Sequence, residues 1–189
     1  MVKGQKVSTE LKLAAVTAPG TTIEAPGHLF VEIQMFKQIV RSEYAYPIFP
    51  LLLHTKLKYI EFLYRVCSIY VLFSISKIFP NIVDPGKLAE LMSTQVIYIR
   101  LMQETSLGDL ILAQHCENAR EFLFPTPKLS PIYPGVEREI TLDRTRHYAG
   151  LLEPKLEFRI GSLLLTIMLF INDYNLYIKL GIQYQVRKQ

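Results

Sequence analysis

Hydrophobic and polar positions alternate along most of this chain. In residues 9–17, TELKLAAVT, Leu11, Leu13 and Ala15 fall on one side and Glu10 and Lys12 on the other. A period of two marks a strand with one wet face. Residues 28–36, HLFVEIQMF, put Leu29, Val31, Ile33 and Met35 on one face; His28, Glu32 and Gln34 share the other with Phe30 and Phe36. Residues 51–60 alternate again, with His54, Lys56 and Lys58 on the polar side, and residues 94–101 are β-branched and aromatic, as strands prefer. Residues 110–113, 121–124, 139–143 and 155–158 are shorter strand candidates.

One helix start stands out. In VDPGKLAELM, Asp84 suits the cap, Pro85 the first helical position, and Leu88, Leu91 and Met92 form an apolar stripe, predicting a short helix over residues 85–92. Many short strands separated by turn signals, with so little helix, predict a mainly β fold, an antiparallel β-sandwich. The two Pro-Gly pairs of residues 18–27 read as a loop, and the proline-rich residues 125–134 as an extended surface segment.

Two stretches break the alternation. Residues 66–76 are uncharged and mostly apolar, between Arg65 and Lys77, and residues 160–171 form a second apolar run. Both are shorter than the roughly 20 residues of a membrane-spanning helix, so a buried or interfacial segment is the expectation. They help explain a mean hydropathy of +0.20.

With 189 residues, half of them hydrophobic, the chain can bury the core of one domain. A net charge of +4 is too mild to specify an acidic partner. Two cysteines, Cys67 and Cys116, give neither a disulfide framework nor metal-ligand spacing, and the first residues carry no apolar leader, so a cytoplasmic, reducing location is expected.

Candidate chemistry is sparse. Cys116 adjoins His115, but neighbours on a strand point to opposite faces, which disfavours a nucleophile–base pair. The histidines lack zinc spacing, and the first long loop offers only Glu24 toward a calcium site. No glycine-rich phosphate loop or nucleophile elbow occurs. The expectation is no enzyme, no cofactor, no metal and no nucleic acid. A basic interaction face is assembled from Lys56, Lys58, Arg138, Arg144 and Arg146, for a phospholipid surface or an acidic protein.

The block ENAREFLFPTPKLSPIYPGVEREITLDRT, residues 117–145, resembles the most distinctive part of the spermatogenesis-associated protein 6 family. LKLAAVTAPG, FPLLLHTKLKYIE, FPNIVDPGKLAELMSTQVIYIRLMQ and EPKLEF flank it in the family's order, although the family usually has a cysteine where Ala18 stands. The resemblance covers residues 8–158 and implies a C2-like sandwich in a non-enzymatic protein. It implies a role in building the sperm connecting piece (head–tail coupling) and flagellum, protein partners among myosin subunits or cytoskeletal components, and a cytoskeletal location there. The alternative is a peripheral module binding anionic phospholipid without calcium. Residues 62–76 depart from the family pattern, since joining KLKYIE to KIFPNIVDPG restores continuity, and residues 159–189 form an atypical apolar tail. Both read as translated intron or aberrant transcript; a real isoform with an added hairpin or strand is the competing reading.

Overall fold

In a computed structural model, which describes residues 2–23, 27–53, 71–125, 138–172 and 175–179, two antiparallel sheets pack face to face. In chain order the elements are β1 (Val2–Thr17), β2 (Leu29–Met35), β3 (Gln38–Arg41), β4 (Leu51–Leu52), β5 (Val71–Pro80), α1 (Pro85–Thr94), β6 (Val96–Thr105), β7 (Gly108–Asn118), α2 (Ala119–Leu123), β8 (Arg138–Thr141), β9 (Asp143–Arg144), β10 (Lys155–Asn172) and β11 (Asn175–Lys179). The first sheet runs β11-β10-β1-β4, with β5 also paired to β1 and β8 to β10; the second runs β3-β2-β6-β7-β9. The expected mainly β antiparallel sandwich is the fold.

The alternation in β1 becomes the core. Val7, Leu11, Leu13 and Val16 are buried against Leu29, Val31, Ile33 and Met35 of β2 and Ile97, Ile99 and Leu101 of β6. Between Leu13 and Ala15 the β1–β10 register shifts, and this bulge moves the inward side from odd to even positions, so that Val16 and Ala18 join the core while Ala15, expected inward, pairs with Glu157 and Leu52. Burying such apolar faces is worth roughly 25 cal/mol per Å² removed from water.

The helix predicted over residues 85–92 runs on to Thr94. Asp84 caps it, its Oδ1 accepting from the Gly86 N–H at 2.9 Å, and Leu88 and Met92 are buried. The strand expected from residue 94 therefore begins at Val96. Residues 121–124, expected as a strand, instead supply the last three residues of a second helix, α2, and its C-cap, Phe124. Asn118 caps that turn through Oδ1, 2.9 Å from the Glu121 N–H, and Ala119, Phe122 and Leu123 pack inward together. Three inward residues and a cap outweigh a short apolar run that fits helix or strand alike.

Of the strand expected over residues 51–60, Leu51 and Leu52 are strand; residues 54–60 lie outside the described residues, as does most of the proline-rich segment. Within residues 62–76, residues 71–76 form the first part of β5, paired with β1 from Leu13 to Ser8, and Ile75 is buried. β10 crosses residue 158 without a break and pairs with β1 as far as Val2 opposite Leu169.

The β2–β3 hairpin turns on Phe36 and Lys37, both at positive φ (52° and 64°). That is the backbone of a two-residue turn usually built with Asn or Gly. Phe36 is held there by its packing, its ring edge-on to Phe79 with centroids 5.8 Å apart. The return from β9 is tied back by a buried hydrogen bond between the Thr21 and Tyr148 hydroxyls at 3.1 Å.

Candidate interaction surfaces

Of the residues expected to form one basic face, Arg138, Arg144 and Arg146 are placed in different surroundings. Lys56 and Lys58 lie outside the described residues. Arg138 belongs to β8 of the first sheet, Arg144 to β9 of the second, and Arg146 to the turn that follows. The Arg138 guanidinium sits 5.1 Å from the Phe122 ring centroid and 5.4 Å from that of Phe158, two rings stacked at 5.5 Å. It donates to the Phe122 carbonyl and lies 3.7 Å from Glu117. Burial lowers its pKa, and the Glu117 charge opposes that shift. Arg138 therefore ties α2 to both sheets. Arg144 donates to the Gly150 and Leu151 carbonyls at 3.0 and 2.7 Å, holding the loop after β9. Arg146 Nε is 3.0 Å from the His147 ring nitrogen at an exposed position.

His115 and Cys116 sit side by side on β7. Cys116 is exposed opposite Tyr98, while His115 is half-buried opposite the core residue Ile99 and 3.8 Å from Glu117. They occupy opposite faces of the strand. Among the described residues no group of three or more His, Cys, Asp or Glu side chains could hold a metal ion, and no helix is long and apolar enough to cross a membrane.

The outer face of the second sheet carries two groupings that sequence reasoning missed. In the first, Glu32 on β2 is flanked in register by Arg41 on β3 and Arg100 on β6. Its carboxylate accepts from Arg41 Nε at 2.9 Å and from Arg100 at 3.0 Å. Arg41 also lies 3.2 Å from Asp109 and passes over the Phe30 ring at 5.3 Å, while Arg100 lies over Tyr98 at 5.0 Å. The hydrogen bond to Glu32 raises the Arg41 pKa. This roof explains why Phe30, on the polar side of the strand pattern, is fully buried.

In the second grouping, Leu29 and Ala45 exchange both main-chain hydrogen bonds at 2.8 Å, which aligns Tyr44 and Tyr46 with His28 and Phe30. His28 lies 5.4 Å from Tyr46 and 6.2 Å from Tyr44 between ring centroids, and its Nδ1 is 3.4 Å from Glu104. A weak signal existed in the sequence: an alternating YAY after β3, and aromatic residues mixed into the polar side of HLFVEIQMF.

Comparison with known proteins gives the family. The model of the family described as "Spermatogenesis-assoc protein 6" matches residues 9–164. The "Spermatogenesis associated 6-like protein" of Rattus norvegicus is 26% identical over 153 residues, spanning 81% of this chain and 34% of that protein. Its Homo sapiens namesake is 25% identical over 153 residues, spanning 81% of this chain and 31% of that protein. The Mus musculus protein of that name is 35% identical over 82 residues, or 43% of this chain and 23% of that protein. The chain thus spans about a third of the length of the rat and human relatives. With the match running through both sheets, from β1 into β10, the chain belongs to the spermatogenesis-associated protein 6 family.

Proposed function

We propose that this chain is a non-enzymatic interaction module of spermatogenesis, a sandwich that docks protein partners during assembly of the sperm connecting piece and flagellum. Its partners are myosin subunits or cytoskeletal components, delivered through myosin-based transport. The observation that carries the reading is the family match over residues 9–164. The side chains support it. Arg138 and Arg144 spend their donors on carbonyls within the molecule, which favours a protein partner over an anionic lipid surface. The described surface instead presents tyrosines and isoleucine, Tyr44, Tyr46 and Ile48, residue types suited to contact with protein.

The test is localisation and co-purification of the tagged chain in differentiating spermatids. The expected result is signal at the neck and flagellum and recovery of a myosin light chain. Signal confined to other compartments, with no cytoskeletal protein recovered, overturns the reading. Flotation with phosphatidylserine-containing vesicles at low salt separates the lipid alternative, because an electrostatic lipid surface binds most strongly there.

A further inference from the structure

We propose that His28, Tyr44, Tyr46 and Glu104 form a receptor for a basic side chain, an arginine or lysine presented by a partner polypeptide. The four residues come together at one end of the outer face of the second sheet. Leu29 points into the core, so its neighbours His28 and Phe30 face outward; Ala45, opposite Leu29, sets Tyr44 and Tyr46 on that same outer side. The Glu104 N–H donates to the His28 carbonyl at 2.9 Å, fixing the third strand.

The site is built before anything binds. The Ile48 N–H closes onto the Tyr46 carbonyl at 2.7 Å around Pro47, which holds the Tyr46 backbone. Tyr44 packs edge-on against Phe30 at 5.1 Å with the planes at 71°. His28 is inclined by 65° to Tyr44 and by 52° to Tyr46, so the three rings do not stack flat on one another. Tyr44 remains 53% exposed and Tyr46 74%.

Charge selects the ligand. Aromatic faces carry partial negative charge and attract ammonium and guanidinium groups. On this sheet Glu32 is neutralised by Arg41 and Arg100, and Asp109 by Arg41. Among the described residues Glu104 has only the imidazole of His28, at 3.4 Å. A guanidinium or ammonium laid across His28 from the tyrosine side can donate to Glu104 in place of the imidazole. An acidic segment would meet repulsion, and a purely apolar one would desolvate the carboxylate without replacing its partner.

The proposal deepens the interaction reading by naming a partner chemistry. Its test is made in solution, so it can fail while localisation in spermatids holds, and the reverse. The full chain is titrated at low salt with a capped alternating alanine–arginine peptide, its lysine counterpart and its uncharged citrulline counterpart, reading labelled-peptide anisotropy. The arginine and lysine peptides are expected to bind and the citrulline peptide not to. Tyr46→Leu keeps apolar bulk but removes the ring, and is expected to weaken binding about two- to fivefold, whereas Tyr46→Phe retains most of it. Glu104→Gln is expected to weaken binding and flatten its salt dependence. Both positions are exposed enough to substitute without unfolding, which thermal melts check. No binding of either basic peptide, equal binding of citrulline, or unchanged affinity in Tyr46→Leu or Glu104→Gln overturns the proposal.

Discussion

Glu32 accepts a hydrogen bond from Arg100 at 3.0 Å directly across the β2–β6 pair, with only 6% of the Glu32 side chain exposed. A second arginine, Arg41, meets the same carboxylate from the other side. Removing the carboxylate leaves two guanidinium groups without their shared acceptor. Glu32→Ala is expected to cost about 2–3 kcal/mol, below the full penalty for breaking a buried pair because both arginines reach solvent. Urea unfolding checks it, and a loss within the error of the measurement would contradict the network's role.

Arg138 serves packing more than charge. It covers Phe122 and Phe158 and satisfies the Phe122 carbonyl. Arg138→Ala is expected to destabilise by about 2 kcal/mol, from the unsatisfied carbonyl and the lost ring contacts. Arg138→Lys should recover less than half of that, since an ammonium lacks the planar fork. Equal stability of Arg138→Lys and the parent chain would show that charge alone suffices.

Lys37 occupies the left-handed region at φ 64° and is exposed. A non-glycine residue pays about 1–2 kcal/mol there, and glycine returns part of the gain as lost chain entropy. Lys37→Gly is expected to stabilise by about 0.5–1 kcal/mol, read as a higher Tm. A lower Tm would mean that the lysine side chain contributes more than its backbone costs.

Lys155 lies 2.7 Å from Glu139, and that hydrogen bond, followed by the charge of Glu139, raises its pKa. A base whose folded pKa is raised contributes its stability fully below the unfolded value and loses it as pH rises through the folded one. The window therefore opens above pH about 10.4. A double-mutant cycle with Lys155→Met and Glu139→Gln should show coupling at neutral pH, less of it in high salt, and none once lysine has titrated. Coupling that persists in strong alkali would assign it to another cause.

Deleting residues 62–76 joins Glu61 to Lys77 and carries KLKYIE into the register that β5 holds against β1. Ile60 then falls where Ile75 is buried, while Lys58 and Lys56, two and four residues before it, fall opposite the core residues Leu11 and Leu13, so a bulge before Ile60 is needed to keep both lysines in water. The shortened chain is expected to remain folded, with equal or better solubility. Aggregation of the deletion variant would assign residues 62–76 an obligatory structural role. In native tissue, peptides crossing Glu61 directly to Lys77 would support reading the segment as an interruption; abundant peptides from within it would refute that.

The shared inward face of Leu11 and Leu13, and the Asp84–Pro85 start of α1, were legible in the sequence because each depends on a repeat or cap a few residues long; the bulge that puts Val16 in place of Ala15 on that face was not. The same locality misled at residues 121–124, where the short apolar run of EFLF suggested a strand but the Asn118 cap and the packing of Ala119, Phe122 and Leu123 make a helix. Sequence alone determined a two-sheet sandwich and the family. Only the tertiary structure decided which polar residues meet. Glu32 lies nine positions from Arg41 and 68 from Arg100, and His28 lies 76 from Glu104. Strand order and register bring them side by side, while Arg138 and Arg144, close in the chain, part into different sheets. A hydrophobic period reports which face of a strand is buried. It carries no information about which strand lies alongside, and cross-strand neighbours set the chemistry of a sheet surface.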